Sequence, residues 1–206
     1  MLEAQPYLEA TVALVSGRVH RWVLSGGIGS GKSTVRRLLE ERGFLGIDAD
    51  SIGHEVLEPD GPAFPSVSQG WPQVVVDGTI DRKALGRIVF GDPGQMRTLE
   101  AITHPYIFGT ILTRLKDRDD PVVVEVPLID HGLGAGWSRL IVDCEDTVRL
   151  ERLVDRGLDP LDAGARMKAQ PERSRWLAVA DVVIPNHEAL EDVSRSVARF
   201  VGFVEP

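Results

Sequence analysis

The feature that most constrains the fold of this chain is a glycine-rich stretch near its N-terminus, Gly26–Thr34, which reads GGIGSGKST. It fits the pattern G-x-x-x-x-G-K-[ST], and it separates a short apolar run, Arg21–Ser25, from a helical pattern, Ser33–Arg42. Between a strand and a helix, the backbone N–H groups of such a loop turn toward phosphate oxygens, and the helix N-terminus adds partial positive charge. The stretch is therefore predicted to bind the phosphates of a nucleotide, with a glycine-rich loop that holds no nucleotide as the alternative.

The residues of this loop have separate predicted roles. Lys32 can reach the β- and γ-phosphates of ATP, and the Ser33 hydroxyl can bind Mg²⁺. ATP and Mg²⁺ are accordingly the expected cofactors. The loop residues expected to contact the nucleotide are Gly27, Gly29, Ser30, Gly31, Lys32, Ser33 and Thr34.

Three apolar runs beyond the loop, PVVVEVPL, RLIVDCE and ADVVIPN, are typical of buried strands, and the first of them of a central parallel strand. A fourth run, FLGID, follows the helix that ends at Gly43. The runs alternate with helical patterns, the last of which extends from Glu188 to Phe203. Strands that alternate with helices predict an α/β fold with a doubly wound sheet.

Composition narrows the class of protein. The chain has 206 residues, 43% of them hydrophobic, which is enough for one well-packed domain, and its net charge of -8 argues against a nonspecific nucleic-acid binder. Cys144 is the only cysteine, so an intrachain disulfide and a cysteine-rich zinc site are excluded. No apolar stretch has the length of a membrane span, and no signal peptide is evident. We expect a cytoplasmic protein with no nucleic-acid or membrane partner, either a monomer or a small homo-oligomer.

The loop alone leaves the reaction open, but other features favour a small-molecule kinase. A switch GTPase should carry a guanine-reading N-K-x-D tetrapeptide, which this chain lacks. A motor or ATPase domain is usually larger. A small-molecule kinase needs a base near its acceptor and arginines that approach the phosphates.

Two carboxylates are candidates for that base. Asp48 and Asp50 end the second predicted strand, at the sheet edge where ligands of open α/β folds bind. If the strand continues through both, their side chains point to the same face. The alternative is structural, with Asp50 or Ser51 as the N-cap of the next helix.

Three arginines are candidates for phosphate contacts. Arg149, Arg152 and Arg156 are spaced by three and four residues, so a helix places them on one stripe. A solvated charged face is the alternative reading. A further expectation concerns His104-Pro105, where proline should interrupt the helical stretch from Gln95 to Lys116.

Several segments of the chain resemble dephospho-CoA kinases in their order and spacing. They are LSGGIGSGKST, GFLGIDADSIGHEVLEPDGPAF, DGTIDRKALGRIVF, LEAITHP, VVVEVPLI, RLERLVDRG and ADVVIPN. The resemblance extends from Arg21 to the C-terminus. Residues 1–20 lie outside it and are expected to form an N-terminal extension whose role we leave open.

The resemblance implies a fold and a reaction. The fold is a three-layer P-loop NTPase fold with a central, mainly parallel five-stranded sheet, a helical acceptor-binding insertion at about 55–100 and a helical lid at about 147–176, all within one domain, 21–206. The reaction is ATP-dependent phosphorylation of the 3′-hydroxyl of dephospho-CoA, the last step of CoA synthesis. The alternatives are a P-loop kinase of another nucleoside or small metabolite, and a regulatory nucleotide-binding module without turnover.

The resemblance also implies catalytic roles for particular residues. Asp50 matches the proposed catalytic base of the family, and Arg152 matches an arginine that stabilises the transferring phosphoryl group. Arg156 matches a second lid arginine that contacts ATP. Ser25 stands where the family usually has threonine, so its hydroxyl is expected near the transferred phosphoryl, with a hydrogen bond to local backbone as the alternative.

Other residues are implied to contact the substrates. His104, Pro105 and Arg82 match the acceptor region, where they would bind dephospho-CoA. Asn186 matches a position near the adenine of ATP. Each also has a structural alternative: a junction for His104-Pro105, a helix start at Asp81-Arg82, and a turn at Asn186.

The chain departs from the family pattern at two places. Where the family usually has DVPLL followed by glutamate, this chain has Glu125–Asp130 and His131, which reads EVPLIDH. Glu125 keeps a carboxylate that could support hydrated Mg²⁺. Trp71-Pro72 replaces the usual phenylalanine-glycine pair. Either departure could alter acceptor preference.

Overall fold

The computed structural model describes residues 21–129, 133, 136–187 and 189–204. The predicted N-terminal extension, 1–20, lies outside these residues, as do Asp130 and His131. The described chain separates into two compact units. The first comprises the described residues up to Ile47 and those from Asp119 onward, and the second is Asp48–Arg118.

The first unit is built on a five-stranded parallel sheet, which confirms the predicted α/β fold. Its strands are β1 (Arg21–Ser25), β2 (Leu45–Asp48), β5 (Val122–Glu125), β6 (Ser138–Asp143) and β7 (Val182–Pro185). They lie in the order β2-β5-β1-β6-β7, so β1, which leads into the glycine loop, is central. Parallel pairing sets Val23 of β1 beside Val124 on one side and Arg139 on the other.

Helices cover this sheet on its two faces, as expected for alternating strands and helices. They are α1 (Lys32–Glu40), α6 (Asp146–Asp155), α7 (Pro160–Lys168), α8 (Arg173–Ala178) and α9 (Leu190–Val204). The main core lies between the sheet and helices α1 and α9, where Trp22 meets Phe200 edge to face with ring centroids 4.9 Å apart. The glycine loop thus follows the central strand of the sheet.

The second unit is mainly helical. Its elements are α2 (Ala49–Glu55), α3 (Phe64–Gly70), β3 (Val75–Val76), β4 (Thr79–Ile80), α4 (Arg82–Phe90) and α5 (Pro93–Leu115), with a 3₁₀ turn at Pro72–Val74. The two short strands form an antiparallel hairpin. Asp77 and Gly78 connect them with φ of 48° and 74°, the two positive values that an Asp-Gly hairpin turn requires.

Two expectations about elements were wrong. Strand β2 ends at Asp48 and helix α2 begins at Ala49, so extended geometry does not continue to Asp50. Helix α5 runs through Pro105 without a break. The segment at about 147–176 is helical as predicted, and it consists of three short helices with Asp159-Pro160 and Pro171 between them.

Candidate functional site

The glycine loop has the conformation that a phosphate-binding loop needs at its entry to α1. Gly31 is the N-cap of this helix, with φ of 92° in the left-handed region. A Cβ at this position would also collide with the Nδ2 atom of Asn186. Both the backbone angle and the close neighbour therefore require glycine here.

The predicted phosphate-binding lysine lies on this loop. The Nζ atom of Lys32 donates to the carbonyl oxygens of Gly26 at 3.0 Å and Gly27 at 3.3 Å. The loop closes on itself as well, since the Ser30 N–H donates to the Gly27 carbonyl at 3.1 Å. The ammonium group is thereby held at the loop, next to the N-terminus of α1.

Arg149 contacts the same loop from helix α6. Its side chain is 4% exposed, and its Nε donates to the Ile28 carbonyl at 2.8 Å while Nη1 pairs with Asp146 at 2.8 Å. The predicted arginine stripe included Arg149, but we assigned it no individual role, because such a stripe is equally typical of a solvated face. Its spacing of three from Arg152 was the signal that could have identified it.

Gln170 also contacts the loop, although no motif in the sequence pointed to it. Its Oε1 atom accepts a hydrogen bond from the Ile28 N–H at 2.7 Å. The residue follows α7 by two positions, so it reaches the loop from a different part of the predicted lid than Arg149 does.

Arg152 and Asn186 form a connected pair beside the loop. Nη1 of Arg152 donates to the Asn186 carbonyl at 2.9 Å, and Nη2 donates to its Oδ1 at 3.3 Å. The Asn186 amide, 5% exposed, donates to the Ser30 carbonyl at 2.7 Å. The structure therefore brings both predicted residues to the loop, with Asn186 bound to protein groups. Arg156, by contrast, is exposed at the end of α6.

Ser25 lies at the end of β1 and faces away from solvent. Its hydroxyl is directed at the carbonyl oxygens of Val126, at 2.8 Å, and Leu128, at 3.2 Å. The hydroxyl thus binds the backbone of the segment that follows β5. A hydrogen bond to backbone was the alternative to the catalytic role that we predicted for Ser25. A role near the transferred phosphoryl stays a prediction.

Glu125 is paired with a cation from α1. The Nε atom of Arg36 lies 3.0 Å from Glu125, and its Nη1 lies 2.6 Å from Glu40. Burial alone would lower the pKa of Arg36, but the hydrogen bonds to Glu125 and Glu40 outweigh it and raise this pKa. The carboxylate that departs from the family pattern is therefore held in place by α1.

In the second unit, the two aspartates have different roles. Asp48 is the N-cap of α2, and its Oδ1 accepts from the Asp50 N–H at 3.0 Å and the Ser51 N–H at 3.2 Å. Asp50 lies in the first turn of the helix and is exposed. The prediction that both carboxylates share one strand face is wrong, and so is the alternative that named Asp50 or Ser51 as the cap.

The predicted acceptor-binding residues lie on helices α4 and α5. Arg82 is the exposed first residue of α4, whose N-cap is Asp81. His104 is half-buried in α5, and its ring lies 5.3 Å from that of Phe108, while Pro105 is exposed. Contacts of these residues with an acceptor stay predictions.

Buried donors beside the loop fit an anionic ligand. Among the described residues, neither Nη2 of Arg149 nor Oγ of Ser30 has a hydrogen-bond partner, although both atoms are buried. They line one small cavity together with Gly27. A buried donor without an acceptor is costly, so these groups suit a phosphate that would accept from them.

The Ser33 hydroxyl is the metal ligand that we predicted. No group of three or more His, Cys, Asp or Glu in the described residues could hold a metal. The Ser33 side chain, exposed in the first turn of α1, offers one hydroxyl ligand. This fits Mg²⁺ bound mainly through phosphate oxygens, as is usual for this ion.

Two further groups lie around the same cavity. Asp143 at the end of β6 holds Arg173 through two hydrogen bonds of 2.7 Å, and these bonds raise the pKa of the Arg173 guanidinium. Cys144 follows Asp143 and is 2% exposed; burial raises the pKa of its thiol despite the nearby Arg152.

No helix in the described part of the chain is long and apolar enough to cross a membrane.

Comparisons with known proteins agree on one family. A family model described as Dephospho-CoA kinase matches residues 22–192. A dephospho-CoA kinase of Streptomyces avermitilis is 41% identical over 181 residues, which cover 84% of this chain and 88% of the relative. A solved protein of Thermus thermophilus is 31% identical, with a TM-score of 0.79, and covers 91% of this chain and 100% of its own. A solved dephospho-CoA kinase of Campylobacter jejuni is 25% identical, with a TM-score of 0.60, over 90% of this chain and 97% of its own.

Proposed function

The chain belongs to the dephospho-CoA kinase family, and on that premise we propose that it transfers the γ-phosphoryl group of ATP to the 3′-hydroxyl of dephospho-CoA, giving CoA and ADP. The observation that carries this proposal is the set of donors around the glycine loop. Lys32, Arg149 and Arg152 all contact the loop backbone, and α1 begins there. Such an arrangement suits the phosphates of a nucleotide.

Several residues of the first unit would handle the phosphates. Lys32 turns its ammonium from the loop carbonyls to the β- and γ-phosphates. Arg152, held by Asn186, neutralises the charge that develops on the transferring group. Phosphoryl transfer depends mostly on positioning and electrostatic stabilisation, and these are the contributions that such cations make.

Asp50 would accept the proton of the attacking hydroxyl. Asp50 is exposed in the first turn of α2, where an acceptor molecule can approach it, and Asp48 is the N-cap of the same helix. The resemblance favours the same residue. Contacts with dephospho-CoA would come from Arg82, His104 and Pro105 in the second unit, and Arg156 and Asn186 would contact ATP.

Mg²⁺ would be held by the Ser33 hydroxyl and by phosphate oxygens. When bound, the ion neutralises charge on the β- and γ-phosphates. Glu125, kept in place by Arg36, would support the water shell of the ion. Closure of the lid over ATP would exclude water from the phosphates.

A coupled assay of ADP release tests the proposed function. With Mg²⁺ and ATP present, dephospho-CoA should stimulate ADP release well above adenosine and above a control without acceptor. The product should carry its new phosphate on the 3′-oxygen of the ribose. Faster turnover with another acceptor, or ATP binding without any acceptor-stimulated release, would contradict the proposal.

A further inference from the structure

We propose that Gln170 and the Nε group of Arg149 together fix the conformation of the glycine loop for ATP, a positioning role separate from that of the Arg149 Nη2 group, which can donate to a phosphate. Each side chain binds one of the two peptide groups that flank Ile28, one at its N–H and the other at its carbonyl. The inference rests on the proposed function only in that the loop must bind the phosphates of ATP.

The two contacts with Ile28 have the geometry of hydrogen bonds. The Gln170 Oε1 accepts from the Ile28 N–H at 2.7 Å, and the Arg149 Nε donates to the Ile28 carbonyl at 2.8 Å. Both distances are short for hydrogen bonds that involve nitrogen and oxygen. The peptide groups on either side of Ile28 are therefore both held from outside the loop.

Arg149 is itself held in place by burial and by an ion pair. Arg149 is 4% exposed, and its Nη1 is paired with Asp146 one turn earlier in α6. The backbone of α6 also lies close to the loop: a Cβ at Gly29 would be only 2.8 Å from the carbonyl oxygen of Arg149. The contact is thus made by a buried side chain whose guanidinium is itself paired.

Holding the glycine loop in place should raise its affinity for ATP. Glycine-rich backbone loses more conformational entropy than any other when it is ordered. A loop that is already held in place needs less ordering when a ligand binds, and the ligand gains affinity accordingly. Because Ile28 lies within the loop, the benefit should fall on the phosphates of ATP, whereas the adenine and ribose should be affected little.

The test compares ligands with and without phosphates. Dissociation constants for ATP and for adenosine are measured by calorimetry on the full chain with Arg149→Ala, Arg149→Lys, Gln170→Leu and the double variant Arg149→Ala/Gln170→Leu. Glu151→Gln, which removes an exposed charge from the same helix, is the matched control. Melting temperatures are recorded for every variant, and the KM for ATP and kcat are measured with dephospho-CoA.

The expected result is a selective loss of ATP affinity. Each single variant should bind ATP about tenfold more weakly, as for the loss of one hydrogen bond to a charged or buried group. Adenosine affinity should stay within about twofold, and the KM for ATP should rise more than kcat falls. The double variant should lose less than the product of the single effects, because both side chains hold one segment. Arg149→Lys, which keeps a donor, should recover part of the loss.

Three outcomes would overturn the inference. They are an equal loss of ATP and adenosine affinity, unchanged ATP affinity in the single variants, and single effects that multiply in the double variant. If Arg149→Ala does not fold, Arg149→Lys and Gln170→Leu carry the same comparison. Binding is measured without an acceptor, so a different acceptor preference would contradict the proposed function and leave this test intact.

Discussion

At the scale of single residues, Asp48 and Asp50 lie two positions apart at the start of α2 and have different surroundings. Asp48 accepts two backbone N–H groups, whereas Asp50, two residues later, is exposed in the first turn of α2. We predict that Asp50→Asn lowers kcat about 10²- to 10⁴-fold with little change in ATP affinity, because a general base acts in the chemical step. Turnover of the acceptor and calorimetry of ATP check the two parts, and near-normal turnover would reject the assignment.

Gly31 and Gly43 form a matched pair for testing the loop. Both have positive φ, 92° and 89°, but a Cβ at Gly43 would meet no atom within 4 Å, whereas one at Gly31 would strike the Asn186 amide. Gly43→Ala should therefore cost only backbone strain, about 1–2 kcal/mol of unfolding free energy. Gly31→Ala should add a loss of ATP affinity of about tenfold or more, because the start of α1 is displaced.

Denaturant unfolding and ATP calorimetry on these two variants make the comparison. Equal ATP affinity for both variants would show that the contact with Asn186 does not shape the loop.

Cys144 is expected to be chemically silent in the folded protein. The thiolate is the reactive form, and burial both shields this thiol from the reagent and raises its pKa, which lowers the thiolate fraction. We predict that a disulfide reagent such as DTNB labels it slowly in buffer and fully in guanidinium chloride. Since the chain has no other cysteine, the absorbance reports this residue alone. Labelling in buffer at the rate of a free thiol would contradict the prediction.

At the scale of elements, α4 depends on its cap. The Asp81 Oδ1 accepts from the Lys83 N–H at 2.9 Å and from the Ala84 N–H at 3.1 Å. Asp81→Ala should lower the free energy of unfolding by about 1 kcal/mol, the usual cost of losing such a cap. Lys83→Ala keeps the cap and its side chain is exposed, so it serves as the control in denaturant unfolding. Equal midpoints for the two variants would show that the cap contributes nothing.

The elements also show what the sequence could predict. The strands, the loop and the helices around them could be predicted, because the hydrophobic pattern of each element lies within its own segment of the sequence. The boundary at Asp48 was missed because IDAD can continue a strand or cap a helix equally well, and tertiary packing decides between the two. Pro105 was expected to break α5, but proline within a helix is tolerated when packing supports the rest of it.

The candidate site was predicted less completely, for a physical reason. The motif contains Lys32 and Ser33 in fixed register with the loop, so their positions follow from spacing alone. The contacts of Arg149 and Gln170 with Ile28 span 121 and 142 residues of chain. A pattern of helical spacing shows that two residues share a face, but it does not show what that face will meet.

At the scale of the whole molecule, the described chain has one five-stranded sheet and a separate helical unit, Asp48–Arg118. This helical unit is longer than the predicted insertion at about 55–100. The boundaries that we assigned to the insertion stay a prediction, and so does a monomer or small homo-oligomer.

The core around the sheet should dominate stability. Phe200 of α9 packs edge to face on Trp22 and lies 6.1 Å from Phe44, so it joins the closing helix to β1. Phe200→Ala should lower the free energy of unfolding by about 3–5 kcal/mol, because it leaves a cavity in this core. Phe203→Ala, at an exposed position of the same helix, should cost much less. Similar costs for the two variants, measured by denaturant unfolding, would contradict this picture.

The position of Trp176 gives the protein an optical property. Its buried indole donates to the Pro171 carbonyl at 3.1 Å and lines the same small cavity as Gly27 and Arg149. The emission of an indole depends on the charges and the polarity around its ring. The chain has four tryptophans, and we expect the emission of this one to change when ATP phosphates occupy the glycine loop, so that binding could be followed without an added label.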